Sequence, residues 1–150
     1  MQEAPTKTLD LIWRERAFQG AYPRLFLPDF SRPLGVYVLW TASEKTLVKP
    51  IAYVGQCVDS NRGIFGRLRD HLNQKSRQEK ALWQHLRPRL KIGQALHYSM
   101  AEVDPEFADG VEKFLAGHLN PAVTIERPEV YPIPVQPPPF DLNWGKFDRF

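Results

Sequence analysis

Gly35-Val36-Tyr37-Val38-Leu39-Trp40 and Leu47-Val48-Lys49-Pro50-Ile51-Ala52-Tyr53-Val54-Gly55 are the stretches whose reading decides the fold. Both are rich in β-branched and aromatic residues, which suit a pleated, packed surface, and polar residues Thr41 to Lys45 separate them. The pattern predicts a β-hairpin. Proline has no N–H to give a ladder, so Pro50 places the second strand at an edge or makes it begin after the proline.

Downstream, Asp59, Ser60 and Asn61 offer capping side chains, and Ile64, Phe65, Leu68 and Leu72 recur at helical spacing. A helix is expected over about 62–73. A second is expected over about 76–86, ended by Pro88. Residues 94–103 alternate Leu96, Tyr98 and Met100 with Ala95, His97, Ser99 and Ala101, which predicts a half-buried third strand. Residues 107–119 carry an apolar stripe of Val111, Phe114, Leu115 and Leu119, which predicts a further helix. Upstream, Leu11, Ile12, Trp13 and Phe18 suggest a short helix over 9–18, and Pro23, Pro28 and Pro33 then interrupt regular structure.

The expected architecture is an α/β (α+β) domain over 35–124, a small, mostly antiparallel three-stranded sheet flanked by helices. Residues 1–34 form an N-terminal extension packing on it. Residues 125–150 form a second extension, in which six of the twelve residues from Pro128 to Pro139 are proline and Phe140, Trp144, Phe147 and Phe150 follow. Such composition favours an extended path. The aromatic end is expected to pack back on the domain, with docking to a partner as the alternative.

A chain of 150 residues, 43% hydrophobic and 25% charged, is one ordinary domain with enough apolar side chains for a core. The single cysteine, Cys57, excludes an intramolecular disulfide framework and multi-cysteine zinc sites, and suits a reducing, cytoplasmic setting. No apolar run approaches the ~18 residues of a membrane span, so no membrane partner is expected. The formal charge of +3 is uninformative as a sum. Its distribution is not: Arg62 to Lys91 holds nine basic residues against Asp70 and Glu79, a balance of 9 − 2 = +7, which leaves −4 elsewhere. With Trp83 interleaved, Arg62, Arg69, Lys75, Arg77, Lys80 and Lys91 suit a surface that grips a phosphate backbone.

Gly35-Val36-Tyr37, Tyr53-Val54-Gly55, Arg67, His71, Glu112 and Pro121, in that order, resemble the GIY-YIG nuclease family. The resemblance covers about residues 34–124. Valine replaces isoleucine in both tripeptides and keeps the β-branch. The separations from Tyr37 to Tyr53 and from Tyr53 to Arg67 are a few residues longer than the family's. Three residues after Pro121, Thr124 stands where the family has asparagine, with Asn120 or Asn143 as substitutes in space.

The resemblance implies hydrolysis of DNA phosphodiesters with Mg²⁺ or Mn²⁺, Tyr37 acting as general base and Tyr53 orienting water or phosphate. Arg67 and His71, four apart, share a helix face, where a guanidinium clamps phosphate oxygens and an imidazole holds a proton. Glu112 stands at the margin of its apolar stripe, and a lone carboxylate suits an ion that keeps waters and substrate oxygens as its other ligands. A tyrosine near pKa ~10 needs a shift of roughly 3 units, about 4 kcal/mol, to ionise at neutrality. Desolvation alone works against it, so a water shared between a metal and Tyr37, with Arg67 and His71 nearby, is favoured over an isolated tyrosinate. Taken singly, these residues have ordinary structural readings as packed tyrosines and solvated helix side chains. Cys57 is read as a small buried filler, and His85, His97 and His118 as structural. The alternative, prompted by Thr124, is a catalytically silent nucleic-acid-binding module. With no separate recognition domain in view, specificity would come from a homodimer or a protein partner.

Overall fold

In the computed structural model, which describes residues 11–42, 51–73 and 77–123, the two decisive stretches are neighbouring antiparallel strands of a four-stranded sheet. Strands are β1 (Arg14–Ala17), β2 (Gly35–Ala42), β3 (Ile51–Cys57) and β4 (Ala95–Glu102); helices are α1 (Gly63–His71), α2 (Arg77–Lys91) and α3 (Pro105–Leu119). The spatial order is β1-β4-β2-β3, antiparallel throughout. β3 begins at Ile51 and lies at a sheet edge.

The fourth strand replaces the helix expected over 9–18. Arg14 to Ala17 pair with Met100 to His97, and the alternation sends Leu11 and Trp13 to one face of the sheet and Phe18 to the other. Ile12, counted toward a helical stripe, is 81% exposed. Edge pairing with β4 outweighs a weak helical pattern, because a short helix gains little without a continuous apolar face. Arg14 to Ala17 thus form a strand of the sheet within the N-terminal segment.

Both faces of the sheet are covered, so β4 is not half-buried as its alternation suggests. Tyr37, Leu39, Tyr53, Leu96, Tyr98 and Met100 face α1 and α2 in one apolar cluster. Val36, Val38, Trp40, Val54 and Ala101 face α3 in another. The helix α2 also runs five residues beyond its expected end, with Pro88 inside it. Leu82, Leu86 and Leu90 continue one buried stripe across the proline, and the helix stops instead at Gly93, whose φ of +97° lets the chain turn. α3 starts with Pro105 in its first turn and ends at Asn120, a left-handed cap whose N–H bonds the Ala116 carbonyl. α1 has no side-chain cap. Asp59 instead folds the preceding turn, its Oδ1 accepting the Asn61 N–H and its carbonyl the N–H groups of Arg62 and Gly63. The hairpin connection at 43–50 and the extension from 124 onward lie outside the described residues.

Phe18 packs edge-to-face on Tyr98, with ring centroids 5.5 Å apart. Phe18→Ala is expected to lower stability by about 3 kcal/mol, read from the midpoint of urea unfolding. A loss under about 1 kcal/mol would show that the N-terminal strand lies outside the cooperative unit.

Candidate active site

Tyr37 sits mid-way along the central strand and is 1% exposed. Its cross-strand partner on β3 is Gly55, and the ring lies across that glycine: a Cβ there would land on the Tyr37 Cζ and hydroxyl. Gly35 serves a related need, since a Cβ there would strike the Ala101 carbonyl and the Val103 amide of the adjoining chain. Both motif glycines are therefore places where something must pass close to backbone.

Having crossed Gly55, the Tyr37 hydroxyl reaches the Nε2 of His71 at 2.6 Å. His71 ends α1 and is 2% exposed. Tyr53 completes a triangle of rings, 6.3 Å from Tyr37 and edge-on to His71 at 4.9 Å. The indole N–H of Trp83, on α2, donates to the His71 carbonyl at 2.7 Å and fixes the helix end that carries the imidazole.

Arg67 lies one turn before His71, and the half-buried Glu112 comes from α3, on the far side of the sheet. Both act electrostatically on Tyr37, and Arg67 acts on His71 as well. α3 is tied to β3 by Gln56, whose amide donates to Asp109 Oδ1 at 3.0 Å. The fold thus puts the rings of Tyr37, Tyr53 and His71 in contact, with Arg67 one turn from His71 and with Arg67 and Glu112 both acting electrostatically on Tyr37.

Burial pushes the Tyr37 hydroxyl well above its ordinary pKa of 10; Tyr53, Glu112 and Cys57 push the same way and Arg67 opposes them. Burial, and then Arg67, lowers His71 from 6.5 to about 3. At neutral pH Tyr37 therefore keeps its proton and shares one hydrogen bond with a neutral imidazole, whose tautomer sets which group donates. With Tyr37 as the donor, the imidazole proton sits on Nδ1. This pair is a hydrogen-bonded phenol and imidazole, not a standing tyrosinate.

The basic residues divide. Arg62 bonds the Gly66 carbonyl and pairs with Asp70, which also pairs with Arg67 at 3.5 Å. Arg69 donates to the Asp29 carbonyl at 2.6 Å and stacks its guanidinium over Phe30. Lys80 and Lys91 are exposed on α2, eleven residues apart and hence on one face of the helix. Lys75 and Thr124 lie outside the described residues, as do Asn143 and the side chain of Arg77, while Asn120 is the cap that ends α3. Sequence reasoning missed Trp83 and Asp70 as partners of the site. Asp70 was visible within Arg67-Leu68-Arg69-Asp70-His71, but no local pattern announces an indole reaching back from the next helix. Cys57 is buried in the same apolar cluster as Tyr37 and Tyr53, as a filler would be.

Among the described residues no three His, Cys, Asp or Glu side chains converge as a metal cage. A site built on Glu112 alone does not fit zinc, which wants three or four protein ligands. It does fit Mg²⁺ or Mn²⁺, which are held by one or two carboxylates together with waters and substrate phosphates.

Two outcomes follow from this geometry. Gly55→Ala is expected to displace the Tyr37 ring and cost about 1–3 kcal/mol; the hydrogen-bonded His71 Nε2 resonance in imidazole ¹⁵N spectra should be lost with it, and its survival would contradict the packing described. His71 also links stability to acid. Above pH 6.5 both folded and unfolded chains hold it neutral; below 6.5 the unfolded chain takes up a proton that the folded chain refuses until about pH 3. Stability should thus be full above 6.5 and decline toward 3, by up to roughly 4–5 kcal/mol at ~1.36 kcal/mol per unit. Urea unfolding of wild type and His71→Gln between pH 7 and 4 checks this, the variant having the shallower decline and equal slopes counting against it. Comparison of the chain with protein-family models, curated proteins and solved structures finds no match, so a functional reading rests on the residues themselves.

Proposed function

We propose that the chain is a metal-dependent endonuclease of the GIY-YIG kind that hydrolyses phosphodiester bonds in DNA. The observation that carries this reading is the 2.6 Å bond from Tyr37 to His71, made across Gly55 and beside Arg67 and Glu112. Packing alone does not call for a buried tyrosine and histidine sharing a proton under the influence of a guanidinium and a carboxylate.

Hydrolysis needs a proton taken from water and charge offset on the phosphoryl oxygens. Arg67 and Glu112 are only half-buried, so an incoming phosphate meets them before the tyrosine. Arg67 takes the phosphate oxygens. Water attacks phosphorus as the bond to the leaving deoxyribose oxygen breaks, that oxygen taking its proton from solvent, while the Tyr37 oxygen accepts the attacking water's proton and Tyr37 passes its own to His71 Nε2. The phosphate also offsets the Arg67 charge that helps to hold His71 neutral in the free protein, which eases that transfer. Tyr53, edge-on to His71, keeps the imidazole in line and helps to place the water. Glu112 would hold Mg²⁺ or Mn²⁺, which supplies positive charge against the phosphoryl oxygens.

For the DNA, Lys80 and Lys91 offer charges about 16 Å apart along α2. Arg77 and Lys75 extend the same basic segment in sequence. Arg62 and Arg69 contribute less, because their guanidiniums are engaged within the protein. A cytoplasmic setting, and a homodimer or protein partner to supply specificity, belong to the same proposal. No helix among the described residues is long and apolar enough to cross a membrane. The second reading is the silent nucleic-acid-binding module. It draws on the same burial, which resists charge on both Tyr37 and His71.

Purified protein with Mg²⁺ or Mn²⁺ is expected to nick or cut DNA. Tyr37→Phe should lower the rate by about 100-fold or more, and Glu112→Ala should abolish it, with folding checked by circular dichroism. Full activity in Glu112→Ala would sink the metal assignment. Salt-dependent binding without turnover in wild type would favour the silent module.

A further inference from the structure

A cavity of about 400 Å³ opens at the other edge of the sheet, between β1, β4 and the segment before β2. Arg14 and Arg16 are two apart on β1 and share a face with their register partners Met100 and Tyr98. Leu27 and Phe65 close the apolar side, and Gln19 brings an amide to the lining. Tyr98 is wedged between the rings of Phe18 and Phe65, both edge-on to it at 5.5 and 5.9 Å.

The charge around this cavity is poorly spent. Arg14 has only a 3.6 Å pair with Glu102, with both side chains more than 60% exposed (64% and 61%), a contact that holds weakly. No hydrogen bond or ion pair holds Arg16 among the described residues; its influence falls on Asp29 and Tyr98. Asp29, the carboxylate that lines the cavity, has one oxygen committed to the N–H and hydroxyl of Ser31. Two guanidiniums beside a cavity of mixed polar and apolar lining suit an anion that also carries a flat body with polar edges. A volume near 400 Å³ falls within the range of small-ligand sites.

We propose that this cavity binds a nucleotide, its phosphate between Arg14 and Arg16 and its base against Pro28 and the edges of Leu27 and Phe65, within reach of the Gln19 amide. The nucleotide is either free or the terminal residue of a strand. The register places Arg14 and Tyr37 in one row through Met100, two strand spacings or about 10 Å apart. The cavity is therefore separate from the Tyr37–His71 pair, and its occupancy does not depend on the nuclease reading.

Calorimetric titration of the full chain with deoxyadenosine monophosphate, with deoxyadenosine and with inorganic phosphate tests it. The nucleotide is expected to bind saturably and at least about tenfold more tightly than either part alone. Arg16→Gln and the Arg14→Gln/Arg16→Gln pair should each weaken it, the pair by about tenfold or more. Both positions are exposed, and circular dichroism confirms folding. A 5′-phosphorylated oligonucleotide that outbinds its 5′-hydroxyl counterpart in an Arg16-dependent way identifies a strand end as the source, and equal binding of the two identifies the free nucleotide. Absence of saturable binding, equal affinity in the double variant, or phosphate alone binding as well as the nucleotide would overturn the proposal. The readout is binding without cleavage, so its failure is distinct from failure of the nuclease.

Discussion

Tyr37 reaches His71 only by passing over Gly55, where the neighbouring strand carries no side chain. That passage joins three elements: the central strand supplies the ring, the edge strand supplies the gap, and α1 supplies the acceptor at its last residue. Each side of the resulting bond depends on burial. Desolvation keeps the proton on the tyrosine and keeps the histidine neutral, so donor and acceptor are matched without any fixed charge. The apolar cluster of Leu39, Ile64, Leu68 and Leu86 around them is what maintains that desolvation. A cavity or a water admitted there would change the chemistry as well as the stability.

The electrostatics are organised around one acid. Asp70 pairs with both Arg62 and Arg67, and Arg69 is turned away to residues 29 and 30. The sequence sum of +7 over 62–91 therefore overstates what a polyanion would meet along α1. Much of the basic segment's arginine content holds the protein together, while the exposed lysines of α2 remain available. Arg67 is the exception, because its half-buried position lets it act on Tyr37 and His71 as well as on Asp70.

Much of this was legible in the residues. Pro50 marked where β3 begins, the alternation over 94–103 marked β4, and the spacing of Arg67 and His71 placed them on one helix face. What was missed shares a physical cause, in that tertiary burial outweighed a local signal. Pro88 should have ended α2, but Leu90 continues the buried stripe and the helix carries on to Lys91. Arg14 to Ala17 has little intrinsic preference for a strand, and becomes one because β4 offers an open edge. The Trp83 contact joins residues twelve apart in different helices, and nothing short-range records it. The tripeptides pointed to Gly55, but not to the reason for a glycine there, which lies in the ring of a residue eighteen positions earlier.

The sheet divides the core into two clusters, and the candidate site draws on both. Tyr37, Tyr53 and His71 stand on one side, whereas Glu112 comes from the helix packed on the other and acts on Tyr37 electrostatically. As an edge strand, β3 has a single ladder neighbour. Its first two residues gain additional support, since the N–H groups of Ala122 and Val123 bond the carbonyls of Ile51 and Ala52. The end that carries Gly55 and Cys57 is held by β2 and by the Gln56 to Asp109 contact. Breathing of the sheet should therefore begin at that end, where the fewest bonds must open. Such a motion would separate Gln56 from Asp109 while both apolar clusters stay intact, which makes that one hydrogen bond a coupling between the end of the edge strand and the helix on the opposite face of the sheet.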